Sequence, residues 1–146
     1  MKTVIKLMLL CLLPFLGIAQ DRNADSLEFD ALVKSVQERQ KAIKTEYSSK
    51  TAEQKKDSLY VKDVMARFNA VREEYINKCK DYYRSHPGSY IGLKAFSNVM
   101  VFEKDAGVLD SDFKHFNKEV RNTELGKSIA KKIKTLLNPE ATGQTE

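Results

Sequence analysis

Cysteine and histidine are the residue types whose spacing most often indicates a metal site, a haem site or a catalytic nucleophile. Beyond its apolar N-terminal segment the sequence contains one cysteine, Cys79, and two histidines, His86 and His115. Neither histidine has a cysteine or a second histidine at a metal-ligand spacing. We interpret His86 as a loop residue before a proline and His115 as a surface or boundary residue. The sequence therefore predicts no catalytic residue, no metal site and no cofactor, and the chain is expected not to be an enzyme.

Cys79 is the side chain for which a redox role is conceivable. It lies between Lys78 and Lys80, whose ammonium groups could lower the pKa of the thiol. It also falls close to the apolar stripe of a predicted helix, where a free cysteine behaves as a small hydrophobic residue. We favour this packing role, and a mixed disulfide between Cys79 and a redox partner is the alternative. No Cys-x-x-Cys redox centre occurs in the sequence.

Two further clusters could contact partners. Lysines share one face of the last predicted helix, and we interpret them as a solvated face near a helix C-terminus rather than as a nucleic-acid site: Lys127, Lys131, Lys132 and Lys134. Tyrosines gather around a predicted turn: Tyr75, Tyr82, Tyr83 and Tyr90. They could form a recognition patch, but such residues more often lie in the core with their hydroxyl groups at its rim.

The N-terminus has the layout of a secretory signal peptide. Two lysines, Lys2 and Lys6, precede an apolar run from Leu7 to Leu16, and small residues at Gly17 and Ala19 follow. We predict cleavage after Ala19, which makes residues 1–19 the signal peptide. The expected location is the periplasm of a Gram-negative bacterium.

The apolar run is not expected to anchor the protein. It is shorter than the roughly 20 residues that a membrane-spanning helix needs, and Cys11 lies in its middle rather than at a lipoprotein cleavage site. Cleavage would lower the net charge from +5 to +3, because the segment contains two lysines and no acidic residue. So mild a charge does not indicate a nucleic-acid partner.

Helical periodicity dominates the remainder, and no stretch shows convincing strand alternation. The predicted fold class is all-α, an antiparallel helical bundle or helical-hairpin array of about five helices over residues 20–137. Residues 138–146 are expected to form a linker or a disordered tail. The first predicted helix runs from Asp25, which forms a capping box with Glu28, to about Ser49, and the second from Thr51, with Gln54 as its box partner, to about Arg84. The third runs from Tyr90, capped by Ser89, to about Phe102. A short fourth helix is capped by Asp110 or Ser111, and the fifth runs from a cap at Asn122 or Thr123 to Asn138.

The predicted core follows apolar stripes on these helices. The second helix carries a packing seam in which apolar residues recur every seven positions, at Val61, Phe68, Tyr75 and Tyr82. Asp63 with Arg67 and Glu74 with Lys78 are expected to pair on its solvent side. The third helix has little polar surface, which is typical of the buried centre of a bundle. The remaining core positions are Leu27, Phe29, Leu32, Val33, Val36, Ile43 and Tyr47; Val61, Val64, Phe68, Val71, Tyr75 and Tyr82; Phe113, Phe116 and Val120; and Leu125, Ile129, Ile133 and Leu136.

Three stretches in order carry a family resemblance: "YYRSHPGSYIGLKAF", "GVLDSDFKHFNKEV" and "LGKSIAKKIKTLLNPEATGQ". They resemble the helical region that precedes the thioredoxin domain in envelope thiol:disulfide interchange proteins of the TlpA/ResA type, and the resemblance covers roughly residues 27–143. In many of those proteins a small β-rich domain comes before the helices, and this sequence leaves no room for it. The redox cysteine pair of the family has no counterpart here, so the resemblance carries over no catalytic residue.

The resemblance implies an accessory role in thiol:disulfide interchange and cell redox homeostasis. The expected function is that of a non-catalytic helical module of an envelope oxidoreductase, truncated before its thioredoxin domain, with a thioredoxin-like domain or another envelope protein as partner. The alternative is a stand-alone periplasmic helical protein that binds other proteins or acts as a chaperone. The sequence leaves the oligomeric state open.

Overall fold

The computed structural model describes the backbone of residues 2–138 and the side chains of residues 24–138. Within that part of the chain the protein is an all-helical bundle without β-strands, which confirms the predicted fold class. Its elements are α1 (Lys2–Ser49), a 3₁₀ turn (Gln54–Lys56), α2 (Ser58–Ser85), α3 (Tyr90–Val99), α4 (Ala106–Lys114), α5 (Lys118–Arg121) and α6 (Glu124–Leu137). The side chains of the predicted signal peptide, residues 1–19, and the predicted tail from residue 139 onward lie outside the described residues.

Helices α1 and α2 form a long antiparallel hairpin. In the half of the hairpin nearer to the 3₁₀ turn, the two helices are held together by a small apolar cluster of Val36, Ile43, Val64 and Val71. Arg67 on α2 binds both carboxylate oxygens of Glu46 on α1 at 2.8 Å, and it also bonds Asp63 at 2.9 Å as predicted. This bidentate bond fixes the register of the two helices more firmly than a single contact would.

Several details of α1 differ from the prediction. The helix does not begin at Asp25 but runs continuously through it, and the Asp25 carboxylate accepts a hydrogen bond from Ser89 instead of capping its own helix. Leu27 is 65% exposed, because the buried stripe runs through Phe29 and Val33. Glu74, predicted to pair with Lys78, accepts a hydrogen bond from Arg39 on α1.

The connection between the two long helices also differs. Thr51 and Gln54 make the predicted reciprocal bonds, in which each side chain accepts from the other residue's backbone N–H. These bonds lie at the start of the 3₁₀ turn and do not begin α2. Helix α2 begins at Ser58, where the Asp57 carboxylate accepts from the N–H groups of Leu59 and Tyr60.

The other half of the hairpin is covered by α3; α6 packs against α3 and α4, and residues of all these helices form the main core. Helix α3 contributes Leu93, Ala95, Phe96 and Val99, all at most 2% exposed, so its predicted central position is confirmed. Four aromatic rings meet at the centre of this core in tilted and edge-on contacts, a favourable geometry for aromatic pairs: Tyr83, Phe96, Phe113 and Phe116.

The prediction misplaced the boundary between α3 and α4. Helix α3 ends at Val99 rather than near Phe102, since the Glu103 carboxylate binds the N–H groups of Lys104 and Asp105 and stabilises a turn there. Asp105, predicted to lie in a loop, caps α4 by accepting from Gly107 and Val108. The cap is therefore neither Asp110 nor Ser111, and the earlier start places Leu109 in the core.

The last helices agree more closely with the prediction. Phe113, Phe116 and Val120 are buried as expected, although Val120 belongs to a separate short helix, α5. Thr123 caps α6 through the N–H of Gly126. Ile129 and Ile133 are buried and Leu125 is half-buried, whereas Leu136 is 54% exposed.

Candidate functional site

Cys79 lies in the main core on α2 and has no exposed surface. Burial raises the pKa of its thiol to about 11, and a hydrogen bond with the Tyr75 side chain only partly opposes this shift. The neighbouring Lys80 pairs with Glu103 at 3.4 Å. The thiol therefore fills space as a hydrophobic side chain does, and a mixed disulfide with a partner would require the core to open.

His86 lies at the C-terminal end of α2 and joins that end to α1. Its ring stacks on Tyr82 with the centroids 4.3 Å apart. The Nδ1 atom lies 3.0 Å from the Tyr82 carbonyl oxygen, and Nε2 lies 3.5 Å from the Glu28 carboxylate. Through these contacts His86 links α2 to α1, an arrangement that the sequence did not indicate.

Ser85, His86 and Glu28 contact one another in the order in which a serine, a histidine and a carboxylate are linked in a catalytic triad. Ser85 Oγ lies 2.9 Å from His86 Nδ1, but it lies equally close to the carbonyl oxygen of Asp81. A serine hydroxyl that donates to its own helix is not poised to transfer its proton to histidine. The contacts are those of a helix terminus rather than of a catalytic triad.

The second histidine, His115, is not part of a metal-ligand cluster among the residues that the structure describes. His115 is exposed at the C-terminal end of α4. Among the described residues, no three histidine, cysteine or carboxylate side chains lie close enough together to hold a metal ion.

The clustered tyrosines lie mainly in the core with their hydroxyl groups at its rim. Tyr82 and Tyr83 are at most 2% exposed, and Tyr75 and Tyr90 are half-buried. The Tyr82 hydroxyl donates to the Asp25 carbonyl oxygen, and the Tyr83 hydroxyl donates to the Asp112 carboxylate. Burial raises the pKa of Tyr75 and of Tyr82 to about 12 in each case. These tyrosines anchor helices and do not form an exposed recognition patch.

The lysines of α6 are exposed, in agreement with a solvated face. Lys127 pairs with Glu124 one turn away. Lys131 and Lys132 border an open groove of about 410 Å³ between α6 and the end of α3, which also contains Met100, Val101 and Leu136.

A second apolar depression lies on the half of the hairpin nearer to the 3₁₀ turn. We call it the distal groove, an open depression of about 420 Å³ between α1 and α2. Two of its residues, Val61 and Phe68, were predicted to be members of a packing seam, and both are only half-buried here. Met65 in the same groove is 56% exposed. The full lining is Ile43, Lys44, Tyr47, Ser48, Val61, Val64, Met65, Phe68, Asn69 and Arg72.

The charged side chains that line the distal groove are all positive. Its lining contains two cations, Lys44 and Arg72, and no carboxylate. The Lys44 ammonium group lies 5.9 Å from the centre of the Phe68 ring. Lys55 adds a third positive charge 5.4 Å from the Tyr47 ring. The groove thus combines an apolar floor with positively charged edges.

The distal groove continues along the molecule. Arg72 also lines a neighbouring groove that contains Val101 and Phe102, and Val101 in turn lines the groove beside α6. The two acidic residues of the middle groove are already paired, Glu73 with Arg72 and Glu103 with Lys80. The three grooves therefore adjoin one another: the outer two are mainly apolar, whereas five of the nine residues that line the middle one are charged.

Comparison of the chain with protein-family models, with curated proteins and with solved structures finds no match to any of them. The resemblance to the helical region of thiol:disulfide interchange proteins accordingly stays a prediction. Within the described part of the chain, no helix combines the length and the apolar character that crossing a membrane requires.

Proposed function

We propose that this chain is an exported, non-catalytic helical module that acts beside a thioredoxin-like oxidoreductase of the cell envelope. The observation that carries the proposal is the open distal groove on a bundle whose one described cysteine is buried. An exposed apolar depression favours contact with another protein, and a buried thiol of high pKa is a poor nucleophile. The resemblance of residues 27–143 supplies the class of partner.

A stand-alone periplasmic binding or chaperone-like protein is the second candidate. The presence of two apolar grooves joined by a charged one favours it, since separate apolar depressions can bind unfolded segments of many different proteins. The two candidates differ in partner number: an accessory module binds one folded protein, whereas a chaperone binds many unfolded ones.

Chemical crosslinking in intact host cells separates the two candidates. The tagged chain is purified under denaturing conditions, and its crosslinked partners are identified by mass spectrometry. The accessory role predicts one dominant partner with a thioredoxin fold in the envelope fraction. Many unrelated partners would support the chaperone-like role, and crosslinks confined to cytoplasmic proteins would contradict both.

Two further measurements test export and the absence of catalysis. Mass spectrometry of the chain from the periplasmic fraction should give a mature N-terminus at Gln20. In the reduction of insulin by dithiothreitol, the purified chain should leave the rate at that of the reagent alone. A rate clearly above this background would contradict the non-catalytic role.

A further inference from the structure

We propose that the distal groove binds an amphipathic helix of a partner protein, and that this helix carries acidic residues beside its apolar stripe. This inference deepens the proposed function by naming the chemistry of the partner segment.

The shape of the groove fits a helix. Its α2 side extends from Val61 to Arg72, which corresponds to about 16 Å along the helix axis, or three turns. A third helix laid between two antiparallel helices packs its apolar side chains into just such a depression. At the other end of the hairpin, α3 packs against both α1 and α2. The partner helix would continue that layer over the uncovered half.

The positive charges around the groove favour a partner segment that is negatively charged. Lys55 and Lys44 lie over the apolar floor at Tyr47 and at Phe68, whereas Arg72, at the end of the groove nearer to α3, is already paired with Glu73. Among the described residues, no carboxylate lies within ion-pair distance of Lys44. An incoming helix with glutamate or aspartate beside its apolar stripe would pair with the ammonium groups of Lys44 and Lys55 and would bury little uncompensated charge.

The same charges disfavour a second copy of this chain as the occupant. Two distal grooves facing each other across a two-fold axis would bring Lys44 and Arg72 of one copy toward those of the other. A flat anionic membrane would fit less well than a helix, because the apolar residues line a depression rather than a protruding surface. Self-association and vesicle binding are therefore outcomes that the test must separate.

The test measures fluorescence anisotropy of two labelled peptides with the purified full-length chain. Each peptide has about 14 residues and leucines at i, i+4, i+7 and i+11, and its flanking positions are glutamate in one peptide and lysine in the other. We expect the glutamate peptide to bind at least about tenfold more tightly than the lysine peptide at low salt, with a smaller ratio as salt screens the charges.

Variants of the groove have matched controls on the same helices. Met65→Glu and Lys44→Glu should each weaken binding of the glutamate peptide about tenfold. Leu59→Glu and Lys41→Glu change an exposed leucine and an exposed lysine that line none of the three grooves, and they should leave binding unchanged. Lys44→Glu should also improve binding of the lysine peptide. Circular dichroism checks that every variant is folded.

Four outcomes would overturn the inference. These are equal affinity for the two peptides, equal weakening by groove and control variants, groove-dependent binding to phosphatidylglycerol vesicles in place of the peptide, and groove-dependent self-association in sedimentation. Since the peptides contain no thioredoxin domain, the result does not depend on whether the cellular partner is an oxidoreductase.

Discussion

Ser89 and Asp25, which lie 64 positions apart in the sequence, are joined by a hydrogen bond from the Ser89 hydroxyl to the Asp25 carboxylate. The same hydroxyl oxygen accepts from the N–H groups of Ile91 and Gly92 and so caps α3. Ser89 is 8% exposed and is the one buried polar residue among the described side chains. A single serine therefore both starts the central helix and fixes it to α1.

Removal of this hydroxyl should cost more than loss of an ordinary cap. Ser89→Ala is expected to lower the free energy of unfolding by about 1–2 kcal/mol, because two helix N–H groups and the Asp25 carboxylate lose a partner together. Urea unfolding measures the change. In the Ser89→Ala background, Asp25→Ala should cost clearly less than it does alone. Additive effects, within about 0.3 kcal/mol, would contradict the link between the two residues.

Gly126 is required by the close approach of α5 and α6. A Cβ atom at this position would lie 2.3 Å from the carbonyl oxygen of Arg121, which is backbone and cannot rotate away. Gly126→Ala is therefore expected to lower the free energy of unfolding by at least about 2 kcal/mol. Gly107→Ala is the control in the first turn of α4, where the added Cβ atom would lie 3.2 Å from the Asp105 side chain rather than against backbone, and it should change stability by no more than about 1 kcal/mol. Equal effects of the two changes would refute this packing.

The thiol of Cys79 should be protected from reagents in the folded protein. In a Cys11→Ser background, its reaction with Ellman's reagent at pH 8 is expected to be on the order of 100-fold slower than in urea, because the group is buried and mostly protonated. Ser85→Cys in a chain that also carries Cys79→Ala places a thiol at an exposed position of the same helix and should react rapidly. Fast labelling of Cys79 in the folded protein would contradict its burial and would support a redox role.

Stability should fall in alkaline solution. The folded protein holds the Cys79 thiol protonated up to a pKa of about 11 and Tyr75 and Tyr82 up to about 12, whereas the unfolded chain loses these protons from pH 9 and pH 10 upward. The folded state then binds more protons, so the free energy of unfolding decreases as pH rises, by at most about 1.4 kcal/mol per pH unit for each group. Urea midpoints at pH 8 and pH 10.5 measure the decrease.

Substitution of Cys79 isolates its part of this dependence. The Cys79→Ala protein should be less stable at pH 8 because of the cavity, but it should lose less stability than the parent between pH 9 and pH 11. If the two proteins respond to pH identically in that range, the thiol is not held protonated by the fold.

The sequence by itself determined the features that depend on neighbouring residues. Ser89 and Thr123 were identified as caps because a hydroxyl oxygen reaches N–H groups two or three positions along. The buried positions of α3 and the inward side of α6 up to Ile133 follow from periodicity. All-helical architecture is local in the same sense, since helix hydrogen bonds join residues four apart.

The tertiary structure decided which of several equivalent local choices was used. The sequence predicts Asp25 as the cap of its own helix, but its carboxylate binds Ser89 instead. Asp105 rather than Asp110 caps α4, because the earlier start of that helix brings Leu109 into the core. The seam of α2 has the same spacing throughout, but α3 covers only one part of it and the distal groove stays open around Phe68. Periodicity shows that a face is apolar, and only the long-range arrangement of helices determines whether another element of the chain covers it.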